Sequence, residues 1–270
     1  KLSMFGAGRA SKIVQVTPNV HLFDIGSDDR STGNIFISGL WFETAAGTGS
    51  CLRLRRINNS LVENIWIPVC GKAGLEISRC EDNVFGALHI SENLGRPTLI
   101  AQTGIGTYGI YIHPVVRVAG PPVTYSGQSN ANLFLMPDLA GAATADFYSD
   151  EHWNQGGNNI ILGGVAQGGD TYEIYAKRAR NFRIYGLHCE AMVGGLTNIQ
   201  LEGCLGADVN LTNGNKTVFA TVPVGTEPVT PCTDCRISGN CDVVDIAADS
   251  VRPRVELRGG SPEHNDQMRG

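Results

Sequence analysis

Several things are scarce in this chain of 270 residues, and each scarcity narrows what it can do. Charged residues make up only 17%, with a formal net charge of −5, and no Lys/Arg patch interleaves with aromatic residues. A surface that tracks nucleic-acid phosphates needs such a patch, so nucleic acid is not expected as a partner. No run of roughly 18 apolar residues is present, so membrane insertion through an apolar helix is not expected either. Long stretches with a helical period are missing too, which turns attention to strands.

What the chain has instead is 34 glycines and a repeat. Leu52, Leu54, Arg56, Ile57, Leu61, Val62, Ile65 and Ile67 recur 23 residues on as Leu75, Ile77, Arg79, Cys80, Val84, Phe85, Leu88 and Ile90. Within each copy, short alternating apolar runs are broken by Asn, Asp, Ser or Gly, the mark of brief strands between turns. Ile37–Phe42 matches Val62–Ile67 at a spacing of 25, and Asn158–Gly163 matches Asn181–Gly186 at 23. A fixed period of about 20–50 residues marks a solenoid, in which neighbouring repeats bury one another's apolar sides. The fold expected is all-β: a right-handed single-stranded parallel β-helix with rungs of about 23 residues, Gly and Asn taking the tight corner conformations.

The whole of 1–270 reads as one such β-helix. Between residues 91 and 157 the pattern degrades around Pro97, Pro114, Pro121-Pro122 and Pro137. Proline cannot donate to a strand ladder, so this segment is expected to leave the solenoid as loop excursions. The chain starts at Lys1 and stops abruptly after Pro262–Gln267, which reads as a piece of a longer protein. Eight cysteines are present; Cys80 replaces Ile57 in the repeat, as an interior reduced thiol does. The one cluster, Cys232-Thr233-Asp234-Cys235 with Cys241, leaves buried thiols, a local disulfide and zinc as alternatives, though no histidine lies within 20 residues to complete a zinc site. No cofactor and no metal are expected.

The most polar and aromatic stretch follows the excursion: Asp146-Phe147-Tyr148-Ser149-Asp150-Glu151-His152-Trp153-Asn154-Gln155. Aromatic faces stack on sugar rings and carboxylates perform acid/base work, so this composition points to carbohydrate. A second carboxylate sits in Gly186-Leu187-His188-Cys189-Glu190, about 40 residues on. That is one to two rungs, or roughly 5–10 Å along the axis if both share a face, which spans the carboxylate separations of retaining and inverting glycosidases. The candidate catalytic residues are Asp150, Glu151 and Glu190. The candidate substrate contacts are Asp146, Tyr148, His152, Trp153, His188 and Arg178. The competing readings are a solvated loop for the first segment and a corner residue for Glu190; Glu202 and Glu173 rank lower as strand residues.

Two stretches carry a resemblance. Phe5-Gly6-Ala7-Gly8-Arg9-Ala10-Ser11-Lys12-Ile13-Val14 resembles the first rungs of phage tailspike and pectate-lyase-like β-helices. Phe182-Arg183-Ile184-Tyr185-Gly186-Leu187-His188-Cys189-Glu190 is similar to the strand–Gly–strand–Glu run of tailspikes. The resemblance implies a homotrimer on a virion tail, or a secreted protein, acting at the bacterial surface on capsule or O-antigen polysaccharide. The polygalacturonase motifs are missing, Asp28-Asp29 lacks their setting, and no basic cluster of a calcium pectate lyase is evident. Three functions remain open: a glycoside hydrolase (polysaccharide depolymerase), a lyase using Lys177, Arg178 and Arg180 beside the carboxylates, and a non-catalytic receptor-binding rod.

Overall fold

A computed structural model describes residues 2–27, 29–91, 94, 105–113, 115–118, 124–126, 129–151, 157–190, 197–214, 216–220 and 230–257. The strands stack in parallel as a β-solenoid, with two sheets running the length of the described chain. Among the described residues the first sheet has thirteen strands and the second nine. The 23-residue repeat is the register itself: Leu52 pairs with Leu75, Leu54 with Ile77, Leu61 with Val84, Val62 with Phe85, Ile65 with Leu88 and Ile67 with Ile90. The spacing of 25 also holds, since Ile37 pairs with Val62 and Leu40 with Ile65. Elsewhere rungs lengthen, as where Leu133 pairs with Ile160 and Asp208 with Arg236.

The interior is built from columns of in-register side chains. In the first sheet Ile37, Val62, Phe85, Phe134, Ile161, Ile184, Val209 and Ile237 form one continuous column, all buried. Leu75, Ile110, Phe147, Ile174 and Ile199 face them from the second sheet. Phe134 bridges the two, stacking on Phe85 at 5.0 Å and meeting Phe147 edge-on at 5.0 Å. Burying each such side chain contributes about 1.5–3 kcal/mol, and a single rung alone could bury none of them.

Columns of left-handed residues mark three of the bends in a rung. Gly39, Asn64, Ala87, Met136, Gly163 and Gly186, all at φ between 46° and 71°, bend the path through the first sheet. Arg56, Arg79, Arg178 and Gly203 do so after second-sheet strands. Asn59, Asp82, Ala131, Asn158, Asn181, Gly206, Asp234 and Arg252 form the longest column, beside the bridges Asn58–Glu81–Asn130–Gly157 and Arg180–Leu205–Thr233–Val251. The left-handed region costs most L-residues roughly 1–2 kcal/mol, less for Asn and Asp and nothing for Gly, so the corners carry the composition noted above.

An asparagine ladder ties this last corner together. Asn83, Asn132 and Asn159 are fully buried on successive rungs. Nδ2 of Asn83 donates to Oδ1 of Asn132 at 2.9 Å, and Nδ2 of Asn132 donates to Oδ1 of Asn159 at 3.0 Å. The same amides satisfy the carbonyls of Ile57, Cys80 and Ser129. All eight cysteines are buried thiols.

Residues 91–157 carry both solenoid and excursion. Tyr108–Ile112, Leu133–Leu135, Asp138–Ala140 and Ala145–Asp150 pair within the two sheets. Val115–Val118 and Thr124–Ser126 form an antiparallel hairpin outside them. Val84 pairs with Leu133, 49 residues on, so this rung carries a long insertion. Replacing Asn132 by Ala removes four side-chain hydrogen bonds from a dry corner and leaves their partners unsatisfied. The expected loss is about 3 kcal/mol, seen as a lower urea midpoint; an unchanged midpoint would show that the ladder adds nothing.

Candidate ligand-binding face

The outer face of the second sheet concentrates the polar and aromatic side chains. One column runs Arg53, Glu76, Tyr111, Tyr148, Tyr175 and Gln200 across six rungs. Beside it Asp150, Lys177 and Glu202 follow one another on successive rungs. Strand alternation produces this arrangement: Phe147 and Ser149 point inward, so Tyr148 and Asp150 point outward.

Five tyrosines make a continuous, partly exposed aromatic surface. Tyr108 stacks on Tyr111 with ring centroids 4.5 Å apart and lies 4.9 Å from Tyr148. Tyr148 meets Tyr175 edge-on at 5.0 Å, and Tyr172 lies 4.8 Å from Tyr175. Lys72 Nζ sits 4.6 Å over the Tyr111 ring, and the His113 ring stacks on Tyr111 at 4.7 Å. Partial burial, together with Asp150 and neighbouring phenols, pushes the hydroxyls of Tyr111 and Tyr148 well above the usual tyrosine range. They therefore stay protonated as hydrogen-bond donors.

Charged groups bracket the tyrosines. Arg178 Nε donates to Asp150 Oδ1 at 3.1 Å, and Lys177 Nζ lies 3.4 Å from Glu202. The Tyr175 hydroxyl donates to Glu202 Oε2. At the other end, Glu76 accepts from Ser50 at 2.6 Å and lies 3.1 Å from Lys72 and 3.0 Å from His113. Burial alone would raise the Glu76 carboxyl, but those hydrogen bonds and the lysine charge outweigh it and hold it well below the usual carboxylate range. Asp150 and Glu202 share a column two rungs apart, about 10 Å between backbones. Among the described residues, no group of His, Cys, Asp and Glu is set to hold a metal ion.

Of the residues singled out in the sequence, Tyr148, Asp150 and Arg178 come together here. Glu190 and His188 do not join them. His188 lies in the first-sheet strand Arg183–Cys189 and Glu190 just after it, both half-exposed, with His188 Nε2 3.9 Å from Glu190 Oε1. Glu190 lies near Glu173, at the start of the second-sheet strand whose far end, Lys177, pairs with Asp150. Four residues of extended chain, about 13 Å, separate the two points. Asp150 ends a second-sheet strand while Glu190 follows a first-sheet strand, so the bend between the sheets lies between them. Asp146 and Glu151 are corrected as well, since both lie inside the solenoid, 0% and 3% exposed. Asp146 Oδ1 accepts from the Ala142 amide at 3.0 Å. His152 and Trp153 lie outside the described residues.

The face also holds Tyr108, Tyr111, Tyr172, Tyr175 and Glu76, which sequence reasoning passed over, and Glu202, which it ranked low. The signal for Glu202 was the register, since steps of 27 and 25 residues lead from Asp150 through Lys177 to it.

No protein-family profile matches the chain, and no curated protein matches it. Among solved structures it is similar to bacteriophage CBA120 tailspike protein 3, with a TM-score of 0.26 and 11% identity over 96% of this chain and 51% of that one. The chain spans about half the length of that tailspike. A likeness this slight carries no argument about activity or assembly, and the solenoid reading stands on the strand pairing.

Glu151 provides a test of this interior. Its Oε1 accepts from Ser149 at 2.6 Å and from Asn159 at 2.7 Å, while Oε2 has no partner among the described residues. Burial pushes the carboxyl up to about 7, against the pull of those two hydrogen bonds. Desolvation likewise raises Glu173 to about 8. A carboxyl whose folded pKa is raised stabilises fully below its unfolded pKa, and that contribution is lost as pH rises through the folded value. Stability is therefore expected to fall between about pH 4.5 and 8. Glu151→Gln should flatten the lower part of that decline in thermal melts; a parallel, unflattened profile would contradict the placement.

Proposed function

We propose that this chain is a polysaccharide-binding β-helix of the tailspike kind, and that the tyrosine face of its second sheet is where the glycan lies. The observation that carries the reading is the cluster of Tyr108, Tyr111, Tyr148, Tyr172 and Tyr175, with ring contacts of 4.5–5.0 Å on a wall of stacked strands. Aromatic rings offer apolar area to the C–H faces of sugars while their hydroxyls donate to sugar oxygens. Asp150, Glu202, Arg178 and Lys177 beside them supply acceptors and donors for the ring substituents. The resemblance of Phe182–Glu190 to tailspikes supports a place on a virion tail, a homotrimer, and a bacterial surface polysaccharide as partner.

A second reading, hydrolysis, is favoured by the placement of Asp150 and Glu202. Their backbones lie about 10 Å apart, which lets the two carboxyl groups approach the separation of about 6.5–9.5 Å that leaves room for an attacking water in inverting glycosidases. Asp150 and Glu202 replace the earlier Asp150/Glu190 pairing in this reading, and Tyr175 orients Glu202.

Binding to bacterial surface polysaccharides by calorimetry tests the face. Tyr148→Ala and Tyr175→Ala should each weaken binding by roughly tenfold, about 1.4 kcal/mol. Unchanged binding in both variants would place the glycan elsewhere. New reducing ends that vanish in Asp150→Asn and Glu202→Gln would establish hydrolysis. A rise in ultraviolet absorbance from an unsaturated product would instead mean a lyase.

A further inference from the structure

The thiols near the end of the described chain have a geometry that the glycan face does not use. Cys204, Cys232 and Cys235 are all buried within the same corner of the solenoid. Leu205 and Thr233 form a parallel bridge, and the Thr233 amide donates to the Cys204 carbonyl at 2.9 Å. Cys204 and Cys232 therefore occupy the same position on adjacent rungs, with Cα atoms about one strand spacing, ~4.8 Å, apart. That falls inside the Cα–Cα range of roughly 4.4–6.8 Å that disulfides span. The Cys232 thiol is in hydrogen-bond contact with both Cys204 and Cys235. Cys235 lies beyond the left-handed Asp234, in the column that continues Asn83, Asn132 and Asn159, and its thiol donates to the Cys204 carbonyl at 3.4 Å.

We infer that Cys204 and Cys232 are a modification site: a dithiol that a small-molecule disulfide or a thiol–disulfide oxidoreductase converts into a cross-rung disulfide. Two pairings compete for Cys232, and loop length decides between them. A Cys232–Cys235 bond closes a loop of a few residues, whereas Cys204–Cys232 spans 28 positions and removes far more freedom from the unfolded chain. Cys232 is also the better starting nucleophile, because hydrogen bonds from Cys204 and Cys235 lower its thiol below the usual range. In the reaction, the Cys232 thiolate attacks one sulfur of the oxidant disulfide and expels one oxidant thiolate, leaving a mixed disulfide. The Cys204 thiolate then attacks the Cys232 Sγ and expels the second. Two electrons pass to the oxidant, and the two protons of the protein thiols end on the two released thiols. Because both sulfurs are enclosed, exchange takes place while this corner is open, and the bond then pins the two rungs together.

The test uses the whole chain incubated with oxidised glutathione or with a reductant, quenched by alkylation, digested and mapped by mass spectrometry. The expected result is a Cys204–Cys232 peptide link, two of the eight thiols lost, and a higher thermal midpoint that reverts on reduction. Cys235→Ser should still form the link, and Cys204→Ser should not. Eight alkylated thiols after oxidation, or a link between Cys232 and Cys235, would overturn the assignment. Because the mapping is read on the unsubstituted protein, a variant that fails to fold does not blunt it.

Discussion

Everything in this structure depends on each rung returning to register with the one below it. A parallel solenoid gains its backbone hydrogen bonds and its buried columns only if corner geometry repeats, so the chain must turn at the same places on every circuit. The columns of left-handed residues achieve this, most completely at Asn59, Asp82, Ala131, Asn158, Asn181, Gly206, Asp234 and Arg252. Where the corner side chain is Asn in the interior column, it adds a second, amide ladder parallel to the backbone one. Gly206 and Ala207 show the limit of that device, since past Asn159 the interior column changes to Phe182, Ala207 and Cys235 without loss of register.

The same constraint makes the functional face. Once the registers are fixed, every second side chain of a second-sheet strand is pushed outward and stacked about 4.8 Å from its neighbour on the next rung. Residues far apart in sequence, such as Tyr111, Tyr148 and Tyr175, become a contiguous surface without any loop having to fold over them. Its charges are held by neighbours on adjacent rungs, so Asp150 is fixed by Arg178 and Glu76 by Lys72 and His113. A face assembled in this way is rigid before a ligand arrives, which keeps the ordering cost of binding low.

The fold was legible because two consecutive rungs, from Leu52 and from Leu75, have the same length and nearly the same pattern. The face was only partly legible, and the reason is rung length. Tyr111 and Tyr148 are 37 residues apart and Tyr148 and Tyr175 are 27 apart, so a fixed period of 23 scatters them. Glu151 illustrates a different failure. Composition made 146–155 look like a polar loop, but Ala145–Asp150 is a strand, and the alternation that turns Asp150 to solvent turns Glu151 into the core. Glu190 misled through spacing alone, since distance along the axis says nothing about which side of the rung a residue occupies.

The most direct measurement of the central claim is a crystal structure with a bound oligosaccharide cut from a polysaccharide that the protein retains. The account predicts sugar rings lying along Tyr111, Tyr148 and Tyr175 on the second sheet, with hydroxyls paired to Asp150, Arg178 or Glu202. Sugar density on the first sheet beside His188 and Glu190, with the tyrosine face bare, would contradict it.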